Sequence, residues 1–185
     1  MSMVWIAGQT ISVSGGEASF SSIPQSFTHL QLRIFSKSPT GSAAGTSGFT
    51  TSFDSQYLRF NNDATPANYA DHKVAGDGAS VTSSGAFNQI TAARTGVMPI
   101  TTAPAGVFGV NIVDILDYSN TSKNKVFRYI SGTDLNGSGY SVFGSGLWTS
   151  TAAINNIFVG GFTAGFSVGS RFDLYGITSS QVTGA

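Results

Sequence analysis

The chain has 185 residues, nine of them basic and nine acidic, with a formal net charge of zero, which is enough for one globular domain and short for two. Gly, Ser and Thr number 23, 27 and 19, while Glu occurs once, at Glu17, a balance that argues against a helical protein. The cations are spread from Arg33 to Arg171, too thinly to neutralise a phosphate backbone, and no apolar run reaches the length of a spanning helix. With no cysteine there is no disulfide, thiolate metal site or Cys nucleophile.

Period-two alternation recurs along the chain, and helical periodicity does not. Residues 1–9 read as an N-terminal arm with neither a basic region nor a long apolar stretch, so no secretory signal is expected. Strands are then expected over residues 10–13 and 17–23, parted by Ser14-Gly15-Gly16. The alternation is clearest over residues 28–34, where Leu30, Leu32 and Ile34 share one face and His29, Gln31 and Arg33 the other. Residues 38–52, low in complexity and nearly uncharged, read as a long loop.

Further strands are expected over residues 57–61, 68–74, 108–116, 125–130, 141–147, 154–162 and 171–178, with turns at Gly76-Asp77-Gly78, Asn136-Gly137 and Gly160-Gly161. Residues 108–116 are apolar on both faces through Val110, Ile112, Val113, Ile115 and Leu116, as in a central strand or one covered by a partner. In the last strand Phe172 and Leu174 oppose Arg171, Asp173 and Tyr175, and Gly176 marks a bulge or a close backbone approach. Residues 179–185 form a C-terminal tail. The expected fold is all-β: one antiparallel β-sandwich over residues 1–185, jelly-roll-like, of about ten short strands joined by Gly/Ser/Thr-rich loops.

Catalytic and metal patterns are weak. Gly165-Phe166-Ser167-Val168-Gly169 fits G-x-S-x-G, but a β-type run follows instead of a helix, and His29 and His72 both precede Ser167. Asp114 and Asp117 are three apart, so in a strand they point to opposite faces and cannot flank one glycosidic bond. Asn61, Asn62 and Asp63 offer oxygens to a hard cation without EF-hand spacing, and two distant histidines make no zinc site. No catalytic residue, metal or cofactor is assigned. The weakly charged surface points instead to association, with Trp5, Phe108, Val110, Ile112, Trp148 and Tyr175 as candidate interface residues.

The order Tyr57-Leu58-Arg59-Phe60-Asn61, Asn68-Tyr69 leading to Gly76-Asp77-Gly78, Asp114-Ile115-Leu116-Asp117-Tyr118, Gly144-Ser145-Gly146-Leu147-Trp148 and Gly169-Ser170-Arg171-Phe172-Asp173-Leu174-Tyr175-Gly176-Ile177 resembles small virion structural proteins of tailed bacteriophages, marine and cyanobacterial ones above all. The resemblance spans about residues 10 to 178. It implies a non-enzymatic subunit on the particle's exterior, a decoration or cement protein of the head, with a tail- or fibre-associated receptor-binding adhesin as the alternative. The implied partners are the chain itself as a homo-oligomer (a trimer), the major capsid protein or tail proteins, and, for an adhesin, a host surface glycan. Nucleic acid and membrane are not expected partners.

Overall fold

The computed structural model describes residues 2–41 and 52–178, so most of the 38–52 loop and the 179–185 tail lie outside the described residues. The chain runs through β1 (Ser2–Thr10), β2 (Ala18–Phe20), β3 (His29–Ser36), β4 (Phe53–Phe60), β5 (Tyr69–Gly76) and β6 (Val81–Ile90), then β7 (Ala93–Pro99), β8 (Gly109–Ile115), β9 (Lys125–Asp134), β10 (Gly139–Trp148), β11 (Ile157–Gly161) and β12 (Arg171–Thr178). Apart from one turn of 3-10 helix at Pro66–Asn68, the regular structure among the described residues is strand.

Two antiparallel sheets face each other, one in the order β1-β12-β3-β8-β9-β10-β5-β6 and one in the order β2-β11-β4-β7. The pairing is nested: β1 lies with β12, β2 with β11, β3 with β8, and β4 with β7. Strands β12 and β3, and β11 and β4, join successive pairs. This is the winding of a jelly roll, an antiparallel ribbon wrapped over itself to make two sheets. The other four strands are two inserted hairpins, β5–β6 and β9–β10, which lengthen one sheet to eight strands.

The alternation expected around Leu30 sets the core. Leu30, Leu32 and Ile34 are buried on β3, next to Val113 and Ile115 of β8 and Phe172 and Leu174 of β12, and the opposite sheet brings Leu58, Phe60, Val97, Ile157 and Val159. Burying one such aliphatic chain is worth about 1.5–3 kcal/mol, so the register of β3 is strongly held. On β10 the inward positions Tyr140, Val142, Gly144, Gly146 and Trp148 include two glycines. A Cβ there would stand 2.3 Å from the Tyr129 ring and 1.9 Å from the Phe127 ring, so the aromatics of β9 lie across β10. Polar side chains also tie the layers, Gln56 Nε2 donating to Ser36 Oγ at 2.9 Å and to the Val97 carbonyl at 3.1 Å.

Two loops are fastened by buried polar groups. Lys125 is fully buried, and its Nζ donates to the carbonyls of Asn120, Lys123 and Thr151 at 2.6, 2.8 and 3.1 Å. Burial pushes its ammonium below the ordinary lysine value. At the neighbouring loop, Asp63 accepts from Trp148 Nε1 and Asn68 Nδ2, both at 2.7 Å, and from the Thr65 amide at 2.9 Å. Partial burial works to raise this carboxyl, but those donors win and hold it at about 2.

Two parts of the expected strand order are corrected. Residues 2–9 of the expected N-terminal arm are strand: the β-prone run Met3-Val4-Trp5-Ile6 pairs along β12, and residues 10–13 supply only the end of that strand before a turn. Strands β6 and β7 have no counterpart in the sequence reading. The close backbone approach expected at Gly176 is present, a Cβ there sitting 2.3 Å from Phe27, and the β1–β12 register shifts just beyond it, between Trp5 and Ala7.

Candidate functional site

The outward face of the eight-stranded sheet departs from what an antiparallel sheet ordinarily presents to water. With one face on a core, the alternate residues should be polar. Here the register lines up Val74, Phe143, Ile130 and Ile112 as direct cross-strand neighbours from β5 through β10 and β9 to β8. All four are exposed, Ile130 at 64% and Phe143 at 51%. Beside this row Val110 pairs with Phe35, whose ring stacks on Phe108 at 4.7 Å, and Val126 extends the apolar surface toward the other end of β9.

The charged strand residues of this face are Arg128 and Asp134 on β9, Asp114 on β8, Arg33 on β3, and Arg171 and Asp173 on β12. Arg128 Nε meets Asp114 Oδ2 at 3.1 Å, and Gln31 Nε2 donates to the other Asp114 oxygen at 2.9 Å. Arg33 Nε donates to Gln31 Oε1 at 3.0 Å, with its guanidinium 5.0 Å from the centre of the Tyr175 ring. Arg171 grips Asp173 at 2.8 and 3.1 Å, and Trp5 Nε1 donates to the same carboxylate at 3.3 Å. Such exposed pairs add little stability. The Arg128–Asp114 and Arg171–Asp173 pairs offset charge near the apolar row, whereas Arg33, the cross-strand neighbour of Ile112, is held by the neutral Gln31 and the Tyr175 ring.

On the underside of the β5 extension the ionic groups are sunk instead. Arg94 of β7 reaches Asp71 of β5 at 3.0 Å. Burial raises the Asp71 carboxyl despite that partner, and burial together with Arg94 pushes Lys73 down to about 8. At the sheet end beside Phe108, a groove of about 640 Å³ lies between the turns at Asp77-Gly78 and Gly137-Ser138, floored by Val110 and Ser141.

Five of the six interface residues read from the sequence fall on this side of the molecule: Trp5, Phe108, Val110, Ile112 and Tyr175. Trp148 does not. It is 2% exposed, points into the core, and spends its indole N–H on Asp63. Sequence reasoning missed Val74, Phe143, Ile130 and Phe35. The available signal was in residues 126–130, where Val126 and Ile130 alternate with Phe127 and Tyr129, so that both faces are apolar.

The weaker patterns resolve as follows. Ser167 lies in the connection before β12, its amide donating to the Lys37 carbonyl at 2.8 Å and its own carbonyl accepting from Ser170; a strand follows it, as expected. Asn61 accepts from the amides of Asn155 and Asn156 and donates to the Ala153 carbonyl, so its side chain is spent on a loop junction. Among the described residues no three His, Cys, Asp or Glu side chains gather as metal ligands, and no helix is long and apolar enough to cross a membrane. No family model, curated protein or solved structure matches this chain.

Proposed function

We propose that the chain is a non-enzymatic structural subunit of a tailed-bacteriophage virion, a decoration or cement protein on the exterior of the head shell. The observation that carries this reading is the exposed apolar row Val74–Phe143–Ile130–Ile112 on a sheet face where Arg128 and Asp114, on the same strands as Ile130 and Ile112, are already paired with each other. Such a face is inexpensive to dehydrate and suits a broad seat on capsid subunits. The resemblance to phage virion proteins supplies the setting, and the rigid jelly roll supplies a plate that can span a junction between shell subunits. Burying apolar surface on both sides of such a junction would oppose its opening under internal pressure, with the chain acting as a homo-oligomer, a trimer by our reading.

The test is on particles. Those lacking the chain should rupture at lower temperature and under milder osmotic shock while adsorbing to cells normally. Particles that stay as robust as complete ones but fail to adsorb would replace this reading with a tail adhesin. The groove beside Phe108, with Asp77 and Asp134 on its walls, is the observation favouring that second reading, since an aromatic ring beside carboxylates suits a sugar.

A further inference from the structure

The two sheets end differently. The four-stranded sheet is closed off by β2, three residues long, and by β7, which carries Arg94 and Pro99; short edges, charges and proline are the ordinary protections against edge-to-edge pairing. The eight-stranded sheet ends on β1 and β6, nine and ten residues long, without a charged residue or a proline in either; a bulge at Ile6 divides β1 and one beyond Phe87 shortens β6, leaving Val81–Phe87 as its regular stretch. Among the described residues no strand lies beyond either edge. Strand β1 is exposed apart from Ile6 and Ala7, which rest half-buried against the core, with Trp5 at 57%, and β6 is exposed or half-buried from 81 to 86.

Direction adds a constraint. Every neighbouring pair in the sheet is antiparallel, so across seven steps β6 runs opposite to β1. The free edge of one copy is therefore matched in direction, length and neutrality to the other free edge of the next, and the chain's zero net charge opposes no such approach.

We propose that copies of this chain join head to tail, β1 of one molecule pairing antiparallel with β6 of the next. The proposal rests on reading the chain as an assembly subunit, and it names the surface through which that assembly forms. A pairing of β1 with its own copy would leave β6 uncovered, whereas a head-to-tail contact, repeated from copy to copy, covers both edges. A strip of six to nine residues is about 20–30 Å by 10 Å, or about 200–300 Å² on each copy. That is below the roughly 800 Å² per partner of a stable interface, so an isolated pair is weak, and a copy held at both edges is retained.

Because the chain contains no cysteine, thiols can be placed at will. Val4→Cys on β1 and Ser83→Cys on β6 are exposed positions, and circular dichroism checks that each variant folds. With a short thiol-to-thiol crosslinker, the double variant should give intermolecular products in which each chain is linked to two others, while either single variant gives none. A ladder ending at three would also support the trimer. Dimers from Val4→Cys alone would overturn the proposal in favour of β1 pairing with itself, and a double variant that yields only monomers would overturn self-pairing altogether. The particle test stands apart: particles that need the chain for robustness alongside a crosslink-free double variant would keep the shell reading and remove the edge contact, and multimers alongside indifferent particles would do the reverse.

Discussion

Phe143 and Ile130 stand directly opposite each other on β10 and β9, both on the outward face and both more than half exposed. A cross-strand apolar pair contributes about 0.2–1 kcal/mol, so Phe143→Ser with Ile130→Thr should lower stability by no more than about 1 kcal/mol. Attachment to particles should fall far more, about tenfold or beyond if as little as 1.4 kcal/mol of seat is lost. Quantifying bound subunit against a melting curve of the free protein checks both. Unchanged attachment would remove this face from the seat.

Leu32 is fully buried between Val113 and Leu174 on the neighbouring strands. Leu32→Asp should unfold the subunit, because an unpaired carboxylate in that position costs several kcal/mol. Loss of the β-type circular dichroism signal at room temperature is the expected result.

That prediction can be made from the sequence alone, because Leu30, Leu32 and Ile34 alternate with polar residues and one face must be core. Strand β7 could not be read the same way. Its residues 95–99 are buried almost without a break, and Gly96 sits at φ 131 where β4 and β7 shift register, so tertiary burial erased the period-two signal. Strand β6 is silent for the opposite reason: as an edge it needs no apolar face, and Val81-Thr82-Ser83-Ser84-Gly85 reads as loop. The candidate surface was half legible. Val110 and Ile112 stand out because their strand is apolar on both sides, while Phe143 hides between Val142 and Gly144, and its outward direction follows only once Gly144 and Gly146 are known to face inward.

Lys125 should be intolerant of replacement. Lys125→Met keeps the stem but leaves three carbonyls without their donor; hydrogen bonds to a charged group are each worth about 1.5–3 kcal/mol, offset in part because the buried ammonium's own desolvation cost disappears with it. We expect a loss of about 2–4 kcal/mol, measured by urea unfolding, with the midpoint shifted and the slope unchanged.

Asp63 sets an acid limit. Its folded value of about 2 lies below the ordinary 3.8, so the stability it contributes is complete above 3.8 and is lost as pH falls toward 2. Asp63→Asn should be less stable than the natural chain at neutral pH, and the difference should shrink steadily between pH 4 and pH 2. A difference that stays constant through that window would mean the carboxylate's charge is irrelevant to the Trp148 and Asn68 contacts.

Ser167→Ala should leave stability, attachment and particle robustness unchanged, since the contacts at this position are made by its backbone. Loss of an esterase or depolymerase activity on that substitution would contradict a non-enzymatic role.

The rings of Phe127 and Tyr129 occupy the volume where side chains on Gly146 and Gly144 would be. Drift in these four positions is therefore coupled: a descendant of this chain can change every outward residue of β9 and β10 and still fold, but it cannot gain a methyl group at 144 or 146 unless the facing aromatic shrinks in the same lineage. Two glycines spaced by one residue, set opposite two aromatics spaced by one residue on the preceding strand, would persist as a fossil of this sheet after overall resemblance has worn away.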